Sequence, residues 1–252
     1  MDLYSVAPVA ALLQAASAAV TTFSSALAPI SGASSTALVI VLVTLLLRAV
    51  LVPVGRAQVR AEFVRRRLAP KLRELQRRYR ADPELLNRRT AELYAAEKAS
   101  PLAGCLPTLL QAPIVSTVYA LFVLASINGQ PNPLLAQELG GVPLGTSFLA
   151  LLGTTPVFWP GLMLFGALLA VIALTAGLSR RLAARYASPV VPTARPAAAR
   201  LAATLSWLPF LTLVFASVVP LAATLYLTVS TAWTLVERGI LYRSFAPTGP
   251  GS

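Results

Sequence analysis

The segment VTLLLRAVLVPVGR, residues 43–56, places one arginine, Arg48, in an otherwise apolar run. A charged side chain at the centre of a membrane helix costs about 2.5–3.5 kcal/mol on insertion scales. Two interpretations account for it. Arg48 lies about 10 Å along the helix from Gly55, so its side chain could reach the membrane surface by snorkelling. Alternatively, the charge has a function in a polar cavity, and that function offsets the cost.

The composition is that of a membrane protein with several spans. Hydrophobic residues make up 56% of the chain and charged residues only 12%, whereas a soluble domain carries about 25% charge. The chain has no His and one Cys, Cys105, which excludes a disulfide within the chain and metal sites of the His or Cys type. We therefore expect no metal and no cofactor. The first charged residue is Asp2 and no Lys or Arg precedes Arg48, so we expect no cleaved signal peptide of the usual kind.

Basic residues are confined to a few segments. Of the 21 Lys and Arg residues, 13 lie in 55–100 and five in 180–200, while 1–47 and 101–179 contain none. This segregation follows the positive-inside rule and places the basic segments in the cytoplasm. The net charge of +12 is therefore explained by topology, and we predict no nucleic acid as a specific ligand.

The apolar segments predict five transmembrane helices. The last apolar block, 204–236, contains 33 residues without a charge, and as one helix it would be about 50 Å long, well beyond the roughly 30 Å hydrocarbon core. Two helices that meet near Pro220 fit better, because they return Arg238 and Arg243 to the basic side. The predicted spans are 36–54, 101–127, 161–178, 201–219 and 220–238.

The segments between the spans complete an all-α membrane fold with its N-terminus outside and its C-terminus in the cytoplasm. Helical spacing of Leu13, Val20 and Phe23 beside Ser17 and Ser24 predicts an amphipathic helix in the outer interface over 6–27. A sixth span or an uncleaved anchor is the alternative. The remaining predictions are an outer N-terminal segment (1–35), a cytoplasmic helical hairpin (55–100), an outer loop (128–160), a cytoplasmic basic loop (179–200) and a short cytoplasmic tail (239–252).

The hairpin has the clearest local signals. An apolar stripe from Val64 to Tyr79 indicates a first helix, which Pro70 should kink or restart. In the segment ADPELL, Asp82 is suited to cap a second helix and Pro83 to occupy its first position. Part of this charged surface could simply face solvent and anionic lipid, but the caps and the stripe favour a folded arm.

The end of the hairpin and the next span carry a more specific pattern. Residues 93–122 read LYAAEKASPLAGCLPTLLQAPIVSTVYALF, which closely resembles the YidC/Oxa-type membrane protein insertases. The combined motif is a serine-proline-leucine, a glycine-cysteine, a leucine-proline, a glutamine and a proline-isoleucine. The resemblance extends over about 36–125 and, more loosely, over 200–243.

The resemblance implies a hydrophilic groove that is open to cytoplasm and lipid. In it, Arg48 matches the single arginine of the family's first core span, and Gln111 matches the glutamine of the second. Thr44, Trp207 and Tyr226 match further groove positions. The chain departs from the family pattern in three ways. It contains only two Met residues, its last span reads LYLTVST, and its C-terminal tail is too short for the basic ribosome-binding extension of some members.

Helical spacing adds two candidates to the groove. Thr108 and Tyr119 share roughly one face of the second span with Gln111, although Gln111 could instead join helices by hydrogen bonds. The apolar blocks that predict the spans, such as 204–236, contain no acidic residue. Arg48 is therefore expected to have no counterpart in the chain and to attract acidic residues of a substrate. Tyr226 could equally be a packing residue.

The resulting hypothesis is a bacterial plasma-membrane insertase that inserts and helps to fold other membrane proteins and is not an enzyme. Nascent membrane proteins and the lipid bilayer are the expected partners, with a Sec-type translocon and the ribosome as further candidates through the cytoplasmic loops. A small-molecule transporter or channel subunit is the alternative, but it predicts internal repeats and ionisable residues in several spans. A purely structural assembly factor is a third possibility, and it would not need Arg48.

Overall fold

The structure, a computed structural model, describes residues 7–97, 99, 116–117, 120–127, 130–186 and 207–245. The described part is mostly helical, in agreement with the predicted all-α class. Its helices are α1 (Ala7–Ser31), α2 (Ser35–Val50), α3 (Val52–Arg78), α4 (Pro83–Ala96), α5 (Phe148–Leu152), α6 (Trp159–Tyr186), α7 (Leu208–Val218) and α8 (Leu221–Phe245).

Helix α6 is the one described helix that is long and apolar enough to cross a membrane by itself. Helices α2 and α3 meet the same criterion when they are taken together, with a bend of 51° between them. These findings are consistent with a membrane protein, and the number of five spans remains a prediction.

Helix α1 differs from the predicted interfacial helix. It packs along α2, and its buried residues include Leu13 and Val20 but also Ser17 and Ser24, which had been assigned to the polar face. The Ser24 hydroxyl forms hydrogen bonds with those of Ser35 (3.0 Å) and Thr36 (2.6 Å) on α2. Small hydroxyl side chains let two helices approach closely and join them by hydrogen bonds, so a serine row marks the α1–α2 contact and not a face turned to water.

The bend between α2 and α3 falls at Leu51. Pro53 lies in the first turn of α3, where a missing N–H costs nothing. Of the two predicted effects of Pro70, a kink or a restart, the restart does not occur, because α3 runs on through Pro70 as one helix. The 51° change of direction therefore falls near the end of the predicted span 36–54.

Helices α3 and α4 pack against each other across a short turn. The Asp82 side chain accepts a hydrogen bond from the Leu85 N–H (2.9 Å) and Pro83 is the first residue of α4, as the sequence predicts. At the other end of α4, Glu97 forms ion pairs with Arg67 (2.9 Å) and Lys71 (2.6 Å) of α3. The two helices are thus joined at both ends of α4.

The main core lies where α8 packs on α2 and α6. Its largest fully buried side chains include Phe122, Phe165, Ile40 and Leu221. Helix α7 packs on α6 and is separated from α8 by Val219 and Pro220. Helix α8 continues past residue 238 to Phe245, and α6 continues past residue 178 to Tyr186, so both extend beyond the predicted span boundaries.

The predicted outer loop contains two short antiparallel strand pairs and α5. The pairs are β1 (Ser126–Ile127) with β2 (Gln130–Pro131), and β3 (Glu138–Leu139) with β4 (Val142–Pro143). Gly140 and Gly141 connect β3 to β4 with φ values of 60° and 77°. A two-residue hairpin turn of this kind needs positive φ at both positions, which glycine adopts without strain.

Candidate functional site

A polar cavity lies where α2 ends and α3 and α8 meet. It encloses about 430 Å³, including the part that opens to solvent. Helix α2 contributes its last turn, α3 its first two turns, and α8 its C-terminal half. The lining residues are Arg48, Leu51, Gly55, Gln58, Val59, Thr234, Glu237, Arg238 and Leu241.

Arg48 occupies the sheltered side of the last turn of α2. Its neighbours Leu46 and Val50 are each 67% exposed, whereas Arg48 is half-buried. The Arg48 Nε donates a long hydrogen bond of 3.4 Å to the Ser230 hydroxyl on α8. The guanidinium group therefore points between helices and not along the exposed face, which favours a cavity role over snorkelling.

Glu237 faces Arg48 across this cavity. The Trp233 indole N–H donates a hydrogen bond of 3.0 Å to Glu237 Oε2. The other oxygen, Oε1, is buried against Gly55 and has no hydrogen-bond partner among the described residues. A Cβ at Gly55 would collide with this oxygen, so glycine makes room for the carboxylate between α3 and α8.

The expectation that Arg48 has no acidic counterpart is wrong. Glu237 falls within the predicted span 220–238, and its side chain lines the same cavity as that of Arg48. The sequence contained a signal for this. Ser230, Thr234 and Glu237 recur every three or four residues, which is one face of a helix. Ser230 bonds to Arg48, and Thr234 and Glu237 line the cavity.

The other described groove candidates do not line the cavity. The Thr44 side chain is fully buried and its hydroxyl donates to the Ile40 carbonyl (2.6 Å) within α2. Tyr226 is buried in the main core, with its ring centroid 6.1 Å from that of Phe122. Both residues are thus buried in the helices that frame the cavity.

Trp207 lies elsewhere, at the start of α7. It is 55% exposed, and the Arg180 guanidinium carbon sits 4.1 Å from the centroid of its ring. This is a cation–π contact between the ends of α6 and α7. The remaining candidates, Thr108, Gln111 and Tyr119, lie outside the described residues.

A second cluster fastens α3 to the ends of α6 and α8. The Tyr242 hydroxyl donates to Glu62 (2.8 Å), and Arg66, which is paired with Glu62, lies 5.3 Å from the centroid of the Tyr242 ring. Phe63 and Tyr186 pack edge to face nearby. Burial raises the pKa of Tyr242, and the hydrogen bond to Glu62 acts in the same direction. This cluster holds the base of α3, the segment from Glu62 to Arg66, against α8 just beyond the cavity.

Comparison with known proteins assigns the chain to a family. The model of the 60Kd inner membrane protein family matches residues 27–248. Over 101 residues, the chain is 34% identical to the proteins named membrane protein insertase YidC of Burkholderia lata and of Burkholderia mallei strain SAVP1. The aligned region is 40% of this chain and 18% of each relative, so it spans about a fifth of their length. The match over most of the chain confirms the resemblance seen in the motifs, and the protein belongs to the 60Kd inner membrane protein family, the family of the YidC/Oxa-type proteins.

Proposed function

We propose that the protein is a membrane protein insertase. The observation that carries this proposal is the half-buried Arg48 in a polar cavity at the end of an apolar helix. A charged side chain within an apolar membrane helix costs free energy. A function of Arg48 in the cavity would offset that cost. The family assignment supports the same activity, since the relatives are named membrane protein insertases.

Insertion requires moving a hydrophilic segment across a layer that excludes it. A cavity with Arg48, Gln58 and Thr234 on its walls offers such a segment polar contacts part of the way. The apolar helix of the substrate then partitions into lipid, which is favourable by about 0.8 kcal/mol per buried methylene. No nucleotide hydrolysis is needed for this step, and Arg48 would hold acidic side chains of the segment transiently.

The topology and the partners form part of the proposal. The predicted location is a bacterial inner membrane with the N-terminus outside. Helices α3 and α4 are placed in the cytoplasm, because 13 basic residues lie in 55–100 and basic segments are retained on that side. Nascent membrane proteins and lipid are the proposed partners. A Sec-type translocon and the ribosome would meet the cytoplasmic helices and loops. Thr108, Gln111 and Tyr119 are proposed to complete the groove from the second span, with Thr44 and Tyr226 in its frame and Trp207 at its edge.

Reconstitution tests the function directly. The purified chain is placed in liposomes, and a small single-span substrate is synthesised in their presence. Protection of the translocated end from protease is then compared with protein-free liposomes. We expect a several-fold increase in the protected fraction. Equal protection with and without the protein would contradict the proposal, whereas a transporter would instead change the permeability of the liposomes to small solutes.

A further inference from the structure

We propose that Glu237 is a specificity-determining residue that competes with acidic substrate segments for Arg48. This inference rests on the proposed function and extends it. In the absence of a substrate, Glu237 acts as the internal counter-charge of the arginine, and an acidic segment has to displace it.

The position of the Glu237 carboxylate supports this role. One oxygen is held by the Trp233 indole, while Oε1 is buried against Gly55 without a hydrogen-bond partner among the described residues. An unsatisfied buried carboxylate oxygen is unfavourable. The positive charge of Arg48, on the wall of the same cavity, is placed to offset part of this penalty.

Arg48 and Glu237 line the same cavity but do not form an ion pair within 4.0 Å among the described contacts. Arg48 is instead held by a long hydrogen bond to Ser230. A close, bidentate pair would be difficult to displace, whereas this looser arrangement leaves room for a competing carboxylate. The cavity therefore combines a positive charge with a weakly engaged internal competitor.

Arg238 is the alternative partner of Glu237. It also lines the cavity and its charge acts on Glu237. If Glu237 served only to neutralise Arg238, its removal would not alter the response of Arg48 to acidic segments. The two roles are distinguished by removing each arginine in turn.

The test measures binding, so that it does not depend on insertion activity. Two fluorescent single-span peptides, with either Asp or Asn in the short hydrophilic end, are titrated against the full chain in nanodiscs by anisotropy. Glu237→Gln keeps an acceptor for Trp233 and removes the charge. We expect it to raise the ratio of Asp-peptide to Asn-peptide affinity about fivefold or more, the lower range for coupled sites.

Further variants complete the design. In Gly55→Ala the added Cβ should displace the Glu237 carboxylate by steric collision. This variant should therefore also raise the ratio of Asp-peptide to Asn-peptide affinity. In an Arg48→Gln background, Glu237→Gln should have no effect on the ratio, whereas in an Arg238→Gln background its effect should persist. A ratio that Glu237→Gln leaves unchanged or lowers would overturn the inference. Failure of the liposome insertion assay would instead count against the proposed function.

Discussion

The carboxylate of Glu237 lies against Gly55, where a Cβ would collide with Oε1. Residue 237 is near the end of the polar face of α8, and residue 55 is in the first turn of α3. Their contact brings a carboxylate to the cavity of Arg48 directly beyond the 51° bend. The charge arrangement of the site thus depends on Gly55, which leaves room for the Glu237 carboxylate where α3 and α8 pack together.

The predicted topology can be checked by cysteine labelling. With Cys105 replaced by Ser, a single cysteine at Gln137 should react with a membrane-impermeant maleimide added from outside, and one at Arg88 should not. The reason is that 13 basic residues lie in 55–100, which keeps that segment in the cytoplasm. Labelling of both positions after the membrane is permeabilised is the control. Reaction at Arg88 in intact cells would contradict the topology.

The arm formed by α3 and α4 should contribute to insertion without being needed for folding. Replacing residues 70–97 with a short Gly/Ser linker keeps Val59 and Phe63, which pack on Leu241 and Tyr242. We expect a several-fold slower insertion in liposomes with a thermal midpoint in detergent close to that of the unchanged protein. Insertion at the full rate would show that the arm is dispensable.

The link between Glu97 and α3 should weaken in acid. Hydrogen bonding and charge interaction with Lys71 lower the pKa of Glu97 below its ordinary value of 4.5, and Arg67 adds to this effect. Because the pKa is lower in the folded state, the stabilisation is present above 4.5 and is lost as the pH falls through the lowered value. Spin labels at Gln76 and Asn87 should report a broader α3–α4 distance distribution in acid.

A matched pair of variants controls this experiment. Glu97→Gln should give the broad distribution already at neutral pH and should remove its dependence on acid. Glu84→Gln removes a carboxylate at the other end of α4 and should leave the acid response unchanged. A distance distribution of Glu97→Gln identical to that of the unchanged protein at every pH would rule out this ion-pair link.

The Tyr242 hydroxyl should stabilise the base of α3. Tyr242→Phe removes the hydrogen bond to Glu62, which we expect to lower the free energy of local opening by about 1–2 kcal/mol. Hydrogen exchange of the α3 amides near Glu62 in detergent would measure this as faster exchange. Since the pKa of Tyr242 is raised above 10.0, the contribution should hold below pH 10 and be lost as the pH rises through the raised value. Tyr94→Phe on α4 is the control, and equal exchange in both variants would contradict the assignment.

Local signals in the sequence were sufficient for several elements. Asp82 and Pro83 begin α4 as predicted, because an N-cap and a proline act on the backbone nearest to them. The gap between α7 and α8 includes Pro220 for a similar reason. The family motif in 93–122 was equally readable, and the match over residues 27–248 confirms it.

Features that depend on packing between distant segments could not be predicted in the same way. Ser24 looks polar in sequence but lies in a helix contact, since its partners Ser35 and Thr36 are provided by folding. The sequence does not place Glu237 beside the cavity of Arg48, because that position depends on the packing of α8 against α2 and α3. At Pro70 the sequence predicts a kink or a restart, and there is no restart because α3 accommodates the proline within one helix.

The central claim is that Arg48 acts through its positive charge on the acidic part of a substrate. The most direct measurement is the initial rate of insertion into liposomes of two single-span substrates that differ only in Asp or Asn residues of the translocated segment. In the polar cavity, the attraction of Arg48 for a carboxylate at 4 Å amounts to about 4 kcal/mol at an effective dielectric of 20. We expect Arg48→Ala to slow the acidic substrate about tenfold or more, the neutral substrate much less, and Arg48→Lys to retain much of the acidic rate. If Arg48→Ala folds normally and inserts both substrates at the rates of the unchanged protein, Arg48 is an anchor at the membrane surface and the account of the cavity is wrong.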